Sequence, residues 1–150
     1  MLVRVGRSAL WLGPAGVLLA LAGCGDGRLS HDAYVRRANA VCSAYAAKVT
    51  LLTSPRSFDA VVAYVDRTLP LYVAAVDDVE ALKPPQGDEE AVRSWLAADR
   101  RVQTELRNLR AAAMRHDLAA TNDAANALQA ASLAARQAAA ALGLDACATP

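Results

Sequence analysis

The chain has 150 residues, with 16 Lys+Arg against 15 Asp+Glu, a formal net charge of +1, two histidines, three cysteines and 55% hydrophobic residues. That length supports a single domain around one core. The near-neutral balance excludes a basic nucleic-acid footprint, and two scattered histidines do not supply a metal-ligand set.

In chain order, Met1 to Arg7 carries Arg4 and Arg7, an apolar run follows from Ala9, and the small residues Ala22 and Gly23 precede Cys24. This is the three-part layout of a secretory signal. The run falls below the ~20 residues a spanning helix needs, and Gly13, Pro14 and Gly16 weaken it as a helix. A signal peptide over residues 1–23 is therefore expected, rather than a retained span. Leu21-Ala22-Gly23-Cys24 resembles the lipobox of bacterial lipoproteins. The resemblance implies that the Cys24 thiol takes a diacylglyceryl group, that palmitate-type acyl chains hold the mature protein in the membrane, and that the domain works on the outer face of the cell membrane. Removal of the signal takes Arg4 and Arg7 and no acid, so the mature net charge becomes about −1. Cys24 to Leu29 reads as a short tether with a reach of at most ~20 Å.

Ser30 is placed to cap a helix starting at His31, with Asp32 where the helix dipole favours a negative charge. Tyr34, Ala38, Val41, Cys42, Tyr45, Val49 and Leu52 then recur in steps of three and four, the signature of an amphipathic helix. Thr53 to Ser57 reads as a turn. A second helix carries Phe58, Val61, Val65, Leu69, Tyr72, Val76, Val79 and Leu82, and Pro70 inside it is expected to kink it. Lys83-Pro84-Pro85-Gln86-Gly87-Asp88 stops that helix. A third, opened by Asp88, Glu89 and Glu90, presents Val92, Trp95, Ala98, Val102, Leu106, Leu109 and Ala113, with Asp99 flanking the stripe in reach of an arginine. After Arg115-His116-Asp117, a fourth helix from Leu118 to Leu142 presents Ala125, Leu128, Ala135, Ala139 and Leu142. Gly143 is placed to end it in the left-handed conformation.

Four helices joined by short turns, with no strand-like alternation, predict an all-α, up-down-up-down four-helix bundle over residues 30–150, following the tether at 24–29. The alanine-rich fourth helix is expected to approach its neighbours closely while large side chains from the other three fill the seam. Trp95, Tyr34, Tyr45, Tyr64 and Tyr72 are read as packing residues.

With Cys24 acylated, Cys42 and Cys147 remain, and export permits their oxidation. Cys42 stands about 16 Å up the first helix axis, and the tail from Gly143 to Cys147 spans about 13 Å when extended. A tail that reverses at Gly143 brings Cys147 level with Cys42, so a disulfide is expected. A free buried thiol and a metal site are the alternatives, the latter lacking clustered histidines. Tyr34 to Cys42, the Leu82-Lys83-Pro84-Pro85 turn and Ala141 to Cys147 together resemble small lipoproteins of actinobacteria that pair an early ANAxC helix with a late GLxxC tail. The likeness brings no activity with it.

The pairs His31-Asp32 and His116-Asp117 fall at opposite ends of such a bundle, and no nucleophile elbow, HExxH or glycine-rich phosphate loop is present. No catalytic residue, metal or cofactor is expected. Arg93, Arg100 and Arg107, seven residues apart, with Arg110 nearby, form a ladder suited to an envelope protein or an anionic polymer. The competing account is a solvated face paired to Glu89, Glu90 and Glu105. The leading expectation is a non-enzymatic, membrane-anchored bundle with an interaction or envelope-support role. The alternative is a carrier of a small apolar or lipidic ligand in the bundle core, which requires a cavity.

Overall fold

A computed structural model of the chain describes residues 27–149. The expected signal peptide, the lipobox and Cys24 lie outside the described residues. Within them the fold is an all-α bundle of four long helices: α1 (His31–Val49), α2 (Phe58–Glu80), α3 (Glu89–Met114) and α4 (Leu118–Ala141), followed by a single-turn α5 (Asp145–Ala148). No strand occurs among the described residues.

The helix starts follow from local chemistry. The side chains of Ser30, Ser57 and Asp117 each accept from the backbone amide three residues on, at Ala33, Ala60 and Ala120. Asp88 precedes α3 without such a bond. Between α3 and α4 the chain reverses at His116, whose φ of 54° lies in the left-handed region, and Asp117 restarts the helix. Gly143, at φ 72°, reverses the chain after α4 as expected. One element differs from the sequence reading: α1 ends at Val49, leaving Leu52 in the following turn. α2 continues through Pro70, which is exposed, so the missing amide falls on the solvent side.

The helices pack in series, α1 on α2, α2 on α3 and α3 on α4. No Cα of α1 comes within 8 Å of α4, so the long helices do not close into a ring. The tail closes it, because α5 packs on both α4 and α1. Leu144 is fully buried, the Ala146 amide donates to Asn39 Oδ1 at 2.9 Å, and Cys147 Sγ sits 2.01 Å from Cys42 Sγ, at bonding distance.

Two apolar clusters form the core. One joins Tyr34 and Ala38 of α1 to Val76, Val79, Trp95, Leu96, Ala139 and Leu144. The other joins Val65, Val102, Leu106, Ala131 and Ala135 and contains no α1 residue. Lys48 lines a shallow surface groove with Leu71, which places the end of α1 level with the middle of α2. The bundle therefore has four helices at one end and three at the other. On α4 the buried face is Thr121, Ala124, Ala131, Ala135 and Ala139, whereas Ala125 is exposed.

Residues 28 and 29, at the end of the expected tether, contact the bundle. Arg28 pairs with Glu89, and the Leu29 amide donates to the Lys83 carbonyl at 3.4 Å.

The bond between Cys42 and Cys147 spans 105 residues, for which loop-closure entropy in the unfolded chain corresponds to about 4.7 kcal/mol. Cys42→Ser or Cys147→Ser is expected to lower the melting temperature markedly, and reductant should do the same to the parent protein. Equal melting curves with and without reductant would contradict this.

Candidate functional site

The open side of the bundle holds a cavity of about 360 Å³. The seam that large side chains were expected to fill is not filled. α1 contributes Tyr45, Ala46 and Val49, α2 contributes Tyr72 and Val76, and α3 contributes Trp95, Asp99 and Val102. Ala135 and Arg136 line it from α4, and Cys42 and Cys147 stand at the wall where the tail crosses. Thr50 and Thr149, both exposed, lie at its mouth. The cavity exists because α4 offers alanine and serine at this level and because α1 and α4 stay apart; Pro70 does not line it.

One ionisable group lies deep in this lining. Asp99 is 7% exposed, and its Oδ1 accepts a 2.5 Å hydrogen bond from the Tyr72 hydroxyl. The expected arginine partner is not there. Asp99 makes no ion pair among the described residues, and Arg136 does not reach it. Burial pushes the Asp99 carboxyl up to about 6, against the opposing pull of the Tyr72 hydrogen bond. Burial and then the Asp99 charge raise the Tyr72 phenol well above its ordinary value. Tyr45 is pushed up to about 12, first by burial and then by Tyr64 and Asp99. Its ring meets that of Tyr72 edge to face, with centroids 5.4 Å apart.

The arginine ladder does not stand as a free docking face. Arg100 pairs with Glu80 and Arg110 with Asp66, so both bridge α3 to α2. The hydrogen bond from Arg110 holds the Asp66 carboxyl below the usual carboxylate range. Arg93 and Arg107 are exposed. Of the three acids expected to neutralise the ladder, Glu89 pairs with Arg28 and Glu105 with Arg101 and Asn108. The histidines stay at opposite ends: His31 Nδ1 lies 2.8 Å from Asp88, and His116 Nε2 lies 3.7 Å from Asp59. No group of three or more potential metal ligands occurs among the described residues.

Sequence reasoning assigned Tyr45, Tyr72 and Trp95 to packing and left Asp99 beside the stripe. The usable signal was spacing. Asp99 stands four residues after Trp95 and three before Val102, on the buried stripe itself, whereas Ala98 is only half-buried. A carboxylate at a core position with no cation three or four residues away on its own helix is the pattern that marks the site. Compared with known proteins, the chain matches no protein-family model, no curated protein and no solved structure.

A raised carboxyl has a definite consequence for stability. Between its unfolded value of 3.8 and about 6 the folded state holds the proton more tightly, so stability falls as pH rises through that window and the full penalty is present above it. Asp99→Asn keeps an acceptor for Tyr72 and removes the penalty. The variant is expected to be more stable than the parent by about 1–3 kcal/mol at pH 8 and to lose that advantage at pH 4, measured by denaturant titration at each pH. A gain that does not change with pH would show that the charge is not its source.

Proposed function

We propose that this protein is a lipid-anchored, extracytoplasmic binding domain that holds a small, mainly apolar ligand in the cavity between its helices. The supporting observation is the cavity itself. Its volume falls in the range of roughly 300–1,000 Å³ typical of small-molecule sites, and its lining is apolar and aromatic with few polar groups. A core built only for stability gains by filling such a space. In this bundle α5 and the bond between Cys42 and Cys147 span the opening between α1 and α4 beside it.

Binding is favoured over turnover by the chemistry of the lining. Its carboxyl and nearest hydroxyl are bonded to each other, and no nucleophile with an adjacent base is found among the lining residues. Placement on the outer face of the cell membrane rests on the resemblance of Leu21-Ala22-Gly23-Cys24 to a lipobox. It is in keeping with the finding that no helix among the described residues is long and apolar enough to cross a membrane. Arg28 and Leu29, docked on the α2–α3 turn, would then hold that end of the bundle toward the lipid. An interaction or envelope-support role is the second reading, favoured by the exposed Arg93 and Arg107.

Native mass spectrometry of the protein purified gently from its host tests the first reading, with an extra mass that disappears on denaturation as the expected result. Ala46→Phe should fill the cavity and abolish that mass while the protein keeps its helical content and melting transition. A bare parent protein would turn the search toward a partner. Separately, Cys24→Ala is expected to leave an unprocessed chain without the lipid mass, and unchanged membrane attachment would refute the anchor.

A further inference from the structure

We propose that the ligand is an organic cation, an ammonium group on an apolar body, seated against the second carboxylate oxygen of Asp99 and among the rings of Tyr45, Tyr72 and Trp95. This rests on the reading of the cavity as a binding site and specifies what it selects. Four observations carry it.

The first is an incomplete valence. Asp99 is more than nine-tenths buried, lines the cavity and is bonded only through Oδ1, to Tyr72. Oδ2 has no hydrogen-bond partner among the described residues, and Asp99 is part of the cavity lining. A carboxylate offers acceptor positions on both oxygens, and leaving one of them desolvated and unpaired is costly.

The second is charge. Asp99 and Arg136 are the formal charges in the lining, one from α3 and one from α4, and they do not pair. An anion entering beside Asp99 meets repulsion, and a neutral apolar ligand strips the carboxylate of remaining solvent without replacing it. A cation offsets the buried charge.

The third is the aromatic surround. Trp95 precedes Asp99 by one helical turn on the same face, and both line the cavity. Tyr72 holds the carboxyl, and Tyr45 on the neighbouring α1 meets the Tyr72 ring edge to face. Rings around a carboxylate attract an ammonium or alkylammonium through their faces as well as through the charge. The fourth is the rest of the wall, where Val49, Val76, Val102 and Ala135 offer an apolar surface to the remainder of the ligand.

Binding should therefore weaken as pH falls below about 6, where the Asp99 carboxyl takes up its proton. The other ionisable groups facing the cavity are Tyr45 on α1, Tyr72 on α2 and Arg136 on α4, and the tail contributes Ala146, Cys147 and Thr149, none of which titrates. Both phenols are raised away from this range.

The test compares three probes of matched shape, 4-phenylbutylammonium, 4-phenylbutanol and 4-phenylbutyrate, by calorimetry on the full chain held in lipid nanodiscs. Native mass spectrometry of co-purified species accompanies it. The ammonium is expected to bind at least about tenfold more tightly than the alcohol at pH 7.5, to lose that preference at pH 5, and to lose it in Asp99→Asn, which stays folded. A co-purified species with a basic nitrogen supports the proposal, and its mass separates a small soluble amine from an amino-lipid head group. Equal binding of ammonium and alcohol overturns the cation and leaves the cavity as an apolar site. Preference for the acid, or a co-purified ligand without a basic nitrogen, also overturns it. A bare protein that binds none of the three probes removes the binding function itself.

Discussion

The return of the C-terminal tail onto α1 is the contact on which the arrangement depends. α1 packs on α2 alone among the long helices, and its other flank would be unsupported without Leu144, the Ala146 to Asn39 hydrogen bond and the cross-link between Cys42 and Cys147. These contacts fix where α1 sits but not that it must touch α4. A bundle closed by a covalent tie at one level can leave its helices apart at the next, which a bundle closed only by side-chain packing does less readily. The cavity is thus a product of how the fourth side is closed.

A lone buried carboxyl in that cavity works against stability, since desolvation of the charged form is only partly offset by one phenolic hydrogen bond. An uncharged residue there would relieve the fold of that penalty. Proteins keep such groups where a site needs them. The same reasoning separates Asp99 from Asp66 and Glu80, whose carboxylates are exposed and paired with arginines of the next helix, and whose role is to help align α2 with α3.

Much of the fold was legible because local signals agree with one another. Ser30, Ser57 and Asp117 are capping residues ahead of apolar periodicity, Gly143 stands where a left-handed residue is needed, and Cys147 meets Cys42 as expected, although the tail arrives as the helical turn α5 and not as the extended segment the spacing assumed. The left-handed His116 is a break that the sequence marked only through Asp117. What could not be read was inter-helix registry. Arg100 and Arg110 find acids on α2, Asp99 finds a tyrosine on α2, and Ala135 faces a void in place of a large side chain; each depends on how far one helix slides along another. Helical periodicity gives the face of a residue but not the height of its neighbour.

Tyr72 packs against both apolar clusters, the one that includes α1 and the one that does not, and its hydroxyl holds the carboxyl in the cavity. The two clusters therefore meet at this ring, while α2, α3 and α4 run continuously past it. An occupant of the cavity would touch residues of both clusters at once, Val76 and Trp95 of one and Val102 and Ala135 of the other. Its apolar body would extend the core across the level where the two clusters now share a single aromatic side chain.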